Sequence, residues 1–208
     1  MLLDADNVVL DDPEYLFYAT EYMQTGTLFW PDVTTLKPTN PLFETLELKP
    51  REVRAQESGQ LLIDKKRCWK ALNLSVHMNK ESDYYYQYIY GDKDTFFLSC
   101  LATQTPYAMV NHLPGLVFRS AGGWPFSSFL QRDCQGRPLF CHTVLLNWSE
   151  RVDFNTMWHY YTLPTQKSDV LYPEYNYKDT QYKSFRVKYK EHERKCIEFL
   201  KQVKSFDA

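Results

Sequence analysis

No run of about 18 apolar residues exists in this 208-residue chain, so no segment reads as a membrane-spanning helix. The N-terminus lacks a charged region followed by an apolar one, and no secretory signal is visible. No CxxC pair occurs. The five cysteines, Cys68, Cys100, Cys134, Cys141 and Cys196, are odd in number and carry no zinc-site spacing. They leave room for one or two disulfides without implying a framework. Positive charge is not in excess: 24 Lys and Arg stand against 26 Asp and Glu, a net charge of −2. That balance speaks against nucleic acid or an anionic membrane as partner. Internal repeats and low-complexity tracts are also missing. Two glycosylation sequons, at Asn73 and Asn147, carry little weight, since chance alone gives about one in a chain this long.

What is present is apolar and aromatic. Hydrophobic residues make up 44% of the chain, enough for one domain with a core, or one domain plus a tail. The 16 Tyr, 13 Phe and 5 Trp suit either a Tyr-rich surface and core or a groove that faces carbohydrate.

The pattern alternates short strands with helices, which predicts an α/β class. Residues 1–12 read as a strand ending in acids, with Leu2 and Leu3 as its buried part. Pro13 opens a short helix from Glu14 to Ala19, and Gly26 closes a second from Glu21 to Thr25. A strand from Thr27 should stop at Pro31 and Asp32, and the proline-bearing stretch 33–56 should be loop. Gly59 to Asp64 reads as a strand and Lys65 to Asn79 as a helix with Cys68, Leu72, Ser75 and Val76 on one face. After a Tyr-rich loop over 80–90, a helix runs from Asp92 to Thr103. Tyr107 to Asn111 and Pro138 to Thr143 read as strands, with a loop marked by Gly122, Gly123 and Pro125 between them. Residues 183–206 form a charged amphipathic helix.

Asp4-Ala5-Asp6 is the leading chemical element. In a strand, residues i and i+2 share a face, so both carboxylates can address one divalent ion. Alone, such a pair is also an ordinary solvated strand end. Asp92 and Asp94 offer a second acidic pair, which can cap the helix that follows or face a ligand. Lys93 between them reads as a phosphate contact or a solvated cation. His142, at the end of an apolar run, is either a ligand or a hydrogen-bonded core histidine. His77 and His112 are weaker candidates. Trp30 and Asp32 read as core and turn, or as part of a groove, and Gln131 and Asp133 have no assigned role.

Four segments in order, LLDADNVVLDDPEYLF, TGTLFWPD, ESGQLLIDKK and GDKDTF, carry a more specific signal. Together they resemble the fungal-type α-mannosyltransferases that build and branch mannan in the Golgi, glycosyltransferase family 71. The likeness is closest over 1–32 and 57–66, good at 91–97, thin over 130–145 and absent beyond 150. It implies a GT-A fold with a Rossmann-like mixed sheet flanked by helices. It also implies a GDP-mannose donor, a divalent cation (Mn²⁺ or Mg²⁺), a glycan acceptor and retention of the α-anomer. By the resemblance Asp4 and Asp6 are the metal and diphosphate contacts, with His142 a further metal ligand. Glu57, Ser58 and Gly59 lie beside the sugar, and Gly59 allows close backbone approach to a ligand. Asp92 and Asp94 then line the donor sugar and stabilise its cationic transition state.

The resemblance also implies a nucleotide-binding half before the DxD strand, of roughly a hundred residues. Its absence before Asp4 points to a fragment or a shortened relative. On this reading 1–150 is a partial catalytic domain and 151–208 a C-terminal extension. The compartment is the Golgi lumen if the full-length protein carries a signal anchor. Two rival readings remain. One is a haloacid-dehalogenase-type phosphatase with Asp4 as nucleophile and Asp6 as general acid. The other is an inactive fragment that binds glycan or protein.

Overall fold

The computed structural model describes residues 1–118, 127–144, 158, 160–164, 181–184 and 190–204. Gly122, Gly123, Pro125 and the Asn147 sequon lie outside the described residues. Strands and helices mix as expected, and the described strands form none of the parallel ladders that the Rossmann-like mixed sheet would bring. One sheet has three strands in the order β1 (Leu2–Leu3), β4 (Val53–Ile63), β3 (Thr27–Leu36). The other runs β2 (Asn7–Val9), β7 (Pro138–Thr143), β6 (Ser128–Arg132), β5 (Gly115–Phe118), β8 (Tyr160–Leu163), β9 (Gln181–Ser184). Every ladder among the described strands is antiparallel. The lone parallel contact there is a bridge between Phe29 and Met109. The connections explain this: β6 and β7 are joined by a tight hairpin, whereas parallel pairing needs a crossover of a dozen or more residues. The segments beyond residue 150 extend the larger sheet, and Trp158 is buried with Leu10, Val117, Leu130 and Cys141.

The helices are α1 (Thr20–Thr25), α2 (Leu42–Thr45), α3 (Trp69–Lys80), α4 (Ser82–Tyr85), α5 (Thr95–Ala102) and α6 (Lys190–Lys204). A 3-10 turn, Glu14–Tyr18, follows Pro13. Gly26 ends α1 in the left-handed conformation its missing Cβ permits. α3 and α5 pack together over Met78, Phe97 and Leu98, with a buried Ser75–Thr95 hydroxyl pair at 2.9 Å. Cys68 and Ser75 are buried as expected for that face of α3, but Val76 is exposed, and Ala71 and Met78 point inward instead. Asn73 lies in α3 with its amide on the Trp69 carbonyl at 2.7 Å.

Several expectations from the sequence fail for identifiable reasons. β3 does not stop at Pro31 but runs ten residues through it. Pro31 stands where the β3–β4 register shifts, a place that tolerates a residue with no N–H. The stretch after it is strand, α2 and then β4 rather than loop. Residues 107–111 form no strand beyond the Phe29–Met109 bridge. Leu2 and Leu3 are exposed on an edge strand. All five cysteines are free thiols, and burial pushes those of Cys100 and Cys134 up to about 12.

The β6–β7 hairpin is organised by Asp133. One carboxylate oxygen accepts the N–H groups of Gln135 and Arg137 at 2.9 and 2.8 Å. The other accepts the Tyr15 hydroxyl and the Arg137 guanidinium, both at 2.7 Å. Burial pushes the Asp133 carboxyl up, but these donors outweigh it and hold it below its usual range. Asp133→Ala should therefore cost about 2–3 kcal/mol in a urea unfolding titration. Because the folded pKa is depressed, the contribution is complete above the ordinary carboxylate value. It is lost as pH falls through the lower folded value. Wild type and variant should converge in stability at strongly acidic pH.

Candidate functional site

The site begins at an irregularity in β4. β3 advances from Leu28 to Trp30 while β4 goes from Leu62 to Glu57, so surplus chain around Ser58, Gly59 and Gln60 bulges out. The intervening Phe29 instead donates its N–H to the Ala108 carbonyl and accepts the Val110 N–H on its own carbonyl. Bulges of this kind re-aim side chains beside sites. β1 pairs with Gln60 and Leu61 on this bulge, and β2 pairs with β7 in the other sheet. Asp4-Ala5-Asp6 is the turn that crosses between them. The two aspartates are thus in a turn, not on one face of a strand as expected.

Both ends of that turn are stapled. The Asp4 N–H donates to the Gly59 carbonyl at 2.9 Å, and the Thr143 N–H donates to the Asp6 carbonyl at 3.2 Å. The Asn7 amide bridges the Gly59 carbonyl and Gln60 Oε1 at 2.6 and 2.7 Å. Asn7 directly follows the DxD pair in sequence, and its role was not foreseen.

His142 on β7 stands opposite Asn7 in the ladder. Its Nε2 lies 3.2 Å from Asp6 Oδ1 and 3.8 Å from Asp4 Oδ2. Its Nδ1 is 2.7 Å from Glu57 Oε1. Glu57 is buried and held in turn by the Gly59 N–H at 2.9 Å and the Gln60 amide at 2.8 Å, with Gln131 Nε2 at 3.5 Å. A carboxylate gripping one ring nitrogen fixes the imidazole and aims the other nitrogen, as behind metal-bound histidines generally. Gly59 is required for this arrangement. A Cβ there would sit 2.3 Å from His142 Nδ1, so the close approach the glycine allows is to the histidine ring.

The electrostatics follow from the same contacts. Burial lowers the His142 pKa, but the Glu57 bond and the Glu57, Asp6 and Asp4 charges outweigh it and raise it. Burial pushes Glu57 up, and His142, Gly59 and Gln60 more than reverse this. Asp4 is raised, by burial first and by Asp6, Glu57 and Asp92, against the pull of His142. One ligand atom each from Asp4, Asp6 and His142 come within 4.8 Å of one another. Two carboxylate oxygens and an oriented imidazole suit Mn²⁺ or a similar divalent ion.

A cleft of about 450 Å³ opens beside this cluster, lined by Asp6, Asp32, Glu57, Ser58, Asp92 and His142 among others. Asp92 is exposed there. Asp94 is not arranged like it. Asp94 is buried, with Oδ1 on the Gln56 N–H at 2.7 Å and Oδ2 on Lys93 Nζ at 2.9 Å. It is the N-cap residue of α5, just before Thr95, yet makes no side-chain cap. Lys93 also reaches Asp32 Oδ2 at 2.9 Å. It is neither solvated nor a free phosphate contact. Burial lowers its pKa, but Asp32 and Asp94 outweigh that and keep it a cation. Trp30 is core, its indole N–H on the Arg132 carbonyl at 2.7 Å and its ring edge-on to Phe140. Gln131, unassigned from sequence, ties Glu57 to the Pro31 carbonyl. His77 packs against Tyr85, and His112 lies against Gly136, both away from the cluster.

With this geometry in place, the comparisons decide the family. The mannosyltransferase family model Mannosyl_trans3 matches residues 1–52 and 49–117. The chain belongs to this mannosyltransferase family. The match takes in Asp4, Asp6, Glu57, Ser58, Gly59, Asp92 and Asp94 and stops short of His142, which only the β2–β7 ladder brings to them. Among curated relatives, Alpha-1,2-mannosyltransferase MNN22 of Candida albicans is 28% identical over 153 aligned positions. The alignment covers 53% of this chain and 26% of that protein. Alpha-1,2-mannosyltransferase MNN24 of the same organism is 27% identical, over 53% of this chain and 21% of its own length. The chain spans about a quarter of the length of the curated relatives it matches. No helix among the described residues is long and apolar enough to cross a membrane.

The Glu57 grip and the Gly59 clearance predict metal behaviour. Glu57→Ala should weaken Mn²⁺ binding about 10–100-fold, the usual effect of removing such a partner. Gly59→Ala should weaken it at least as much by displacing the ring. Electron paramagnetic resonance of free Mn²⁺ in a titration reads both, and unchanged affinity in both variants would sink the assignment.

Proposed function

We propose that this chain carries the metal- and sugar-facing part of a retaining α-mannosyltransferase site. On this reading the enzyme moves mannose from GDP-mannose to a mannan or glycoprotein glycan. The convergence of Asp4, Asp6 and His142 under Glu57, in a chain of a mannosyltransferase family, carries the reading. The GT-A arrangement and a Golgi setting belong to the same proposal. So does the α-1,2 linkage in the relatives' names.

The residues divide the work. Asp4, Asp6 and His142 would hold a divalent ion, which would supply positive charge beside a departing diphosphate. Glu57 keeps the imidazole aimed at that ion. Asp92, exposed in the same cleft, stabilises positive charge on the anomeric carbon. Asp94 acts at one remove: it holds Lys93 and the Gln56 backbone and so positions the 91–94 segment that bears Asp92. Ser58 offers a hydroxyl to the sugar.

The test is GDP release from GDP-mannose with an α-mannoside acceptor, with and without Mn²⁺. Release should depend on the metal and stop with EDTA. Asp6→Asn should lower the rate at least about 100-fold, on the order of 2.7 kcal/mol of barrier, with the circular dichroism spectrum unchanged. Full activity in that variant would remove Asp6 from the site. Phosphate release from a phosphomonoester, without GDP release, would favour the phosphatase reading. Neither product would leave a binding fragment.

A further inference from the structure

Tyr90 and Lys93 line the cleft beside His142, and both also line a second cleft of about 330 Å³. Its other walls include Thr34, Thr35, Thr39, Asn40 and Tyr88. That volume is at the lower end of what holds small ligands. No role in the reading above uses this space.

Its chemistry selects a neutral, hydroxyl-rich ligand. Two cations reach it, and both are already compensated. Lys93 sits 2.9 Å from both Asp32 and Asp94, and Lys37 sits 2.6 Å from Glu52. Neither offers an unpaired positive charge to a phosphate. The wall is also fixed in advance. The Asn40 amide donates to the Tyr88 carbonyl at 2.8 Å while its oxygen accepts the Leu42 N–H at 3.0 Å, and the Thr35 hydroxyl is bound to Glu52 at 2.8 Å. Thr34 and Thr39 are exposed and line the space, Thr34 with its hydroxyl donating to Asp32 Oδ2 at 3.3 Å.

Tyr90 is the unusual member. Its neighbours Tyr84 and Tyr86 have hydroxyls tied to Thr45 and Asn79. Tyr90 is 87% exposed at the seam of the two clefts. An exposed ring there costs apolar contact with water unless something covers it. The apolar face of a pyranose does so, with the phenol free to hydrogen bond at its rim.

We propose that the second cleft binds a pyranose unit of the acceptor glycan, with the Tyr90 ring stacked on that sugar where the two clefts meet. Calling the sugar the acceptor rests on the first cleft being the donor site; the binding itself does not. The test is a heteronuclear NMR titration of the full chain with α-1,2-mannobiose, with no nucleotide or metal present. Saturable shifts are expected at Thr34, Thr39 and Tyr88. Tyr90→Ala should weaken binding by about tenfold, the upper end of one aromatic contact, and Tyr90→Phe should retain it. GDP should not displace the disaccharide. Absence of saturable shifts, equal affinity in Tyr90→Ala, or displacement by GDP would each overturn the proposal. If mannobiose binds through Tyr90 but no metal-dependent GDP release occurs, the donor reading fails and the second site stands. If GDP release is intact and mannobiose does not bind there, the second site fails alone.

Discussion

The hydrogen bond between Glu57 and His142 Nδ1 is the contact on which the site depends. It joins the two sheets, because Glu57 lies on β4 and His142 on β7. It fixes which ring nitrogen faces the Asp4–Asp6 turn. It also accounts for local features that otherwise look accidental. Glycine at 59 leaves room for the ring, Gln60 and the Gly59 N–H complete the Glu57 carboxylate, and Gln131 steadies it from β6. A buried carboxylate is tolerable only when its lone pairs are satisfied, and here donors come from several directions.

A second charge arrangement sets the character of the neighbouring surface. Lys93 is shared by Asp32 and Asp94, so the floor between the clefts carries a compensated cation. One consequence is structural: the 91–94 segment is anchored to β3 through Asp32 and to β4 through Gln56. Another is chemical. Asp94 is committed inward while Asp92, two residues earlier, stays in the cleft. The pair expected to act together is thus divided by burial into a support and a surface acid.

Much of this was legible in the sequence, but unevenly. Asp4, Asp6 and His142 were named as one metal set, and the structure brings them together. β7 falls on the residues expected, because the apolar run after Pro138 has few alternatives. The aspartates share a turn rather than the strand face that their spacing suggests. Periodicity could not reveal that, since two short strands and a turn look like one strand when apolar residues flank them. Pro31 misled in the same way. A proline reads as a strand terminus unless the partner strand supplies a register shift there. Lys93 between two aspartates reads as a phosphate contact or a solvated cation, since no local signal says that Asp32, on a distant strand, completes its shell.

The sequence by itself determined the residue types and their order: the DxD pair, the glutamate-serine-glycine segment, the acidic pair and a late histidine, all within a mannosyltransferase family. Those are local facts, carried by side-chain chemistry and spacing along the chain. Only the tertiary structure decided which of them meet. The β4 bulge, the antiparallel ladders and the register of Asn7 with His142 place groups from residues 6, 57 and 142 within hydrogen-bond reach. The same ladders bury Asp94 and leave Asp92 and Tyr90 exposed. Contacts between residues so far apart in the chain depend on pairing and packing, and those leave no fixed spacing to read.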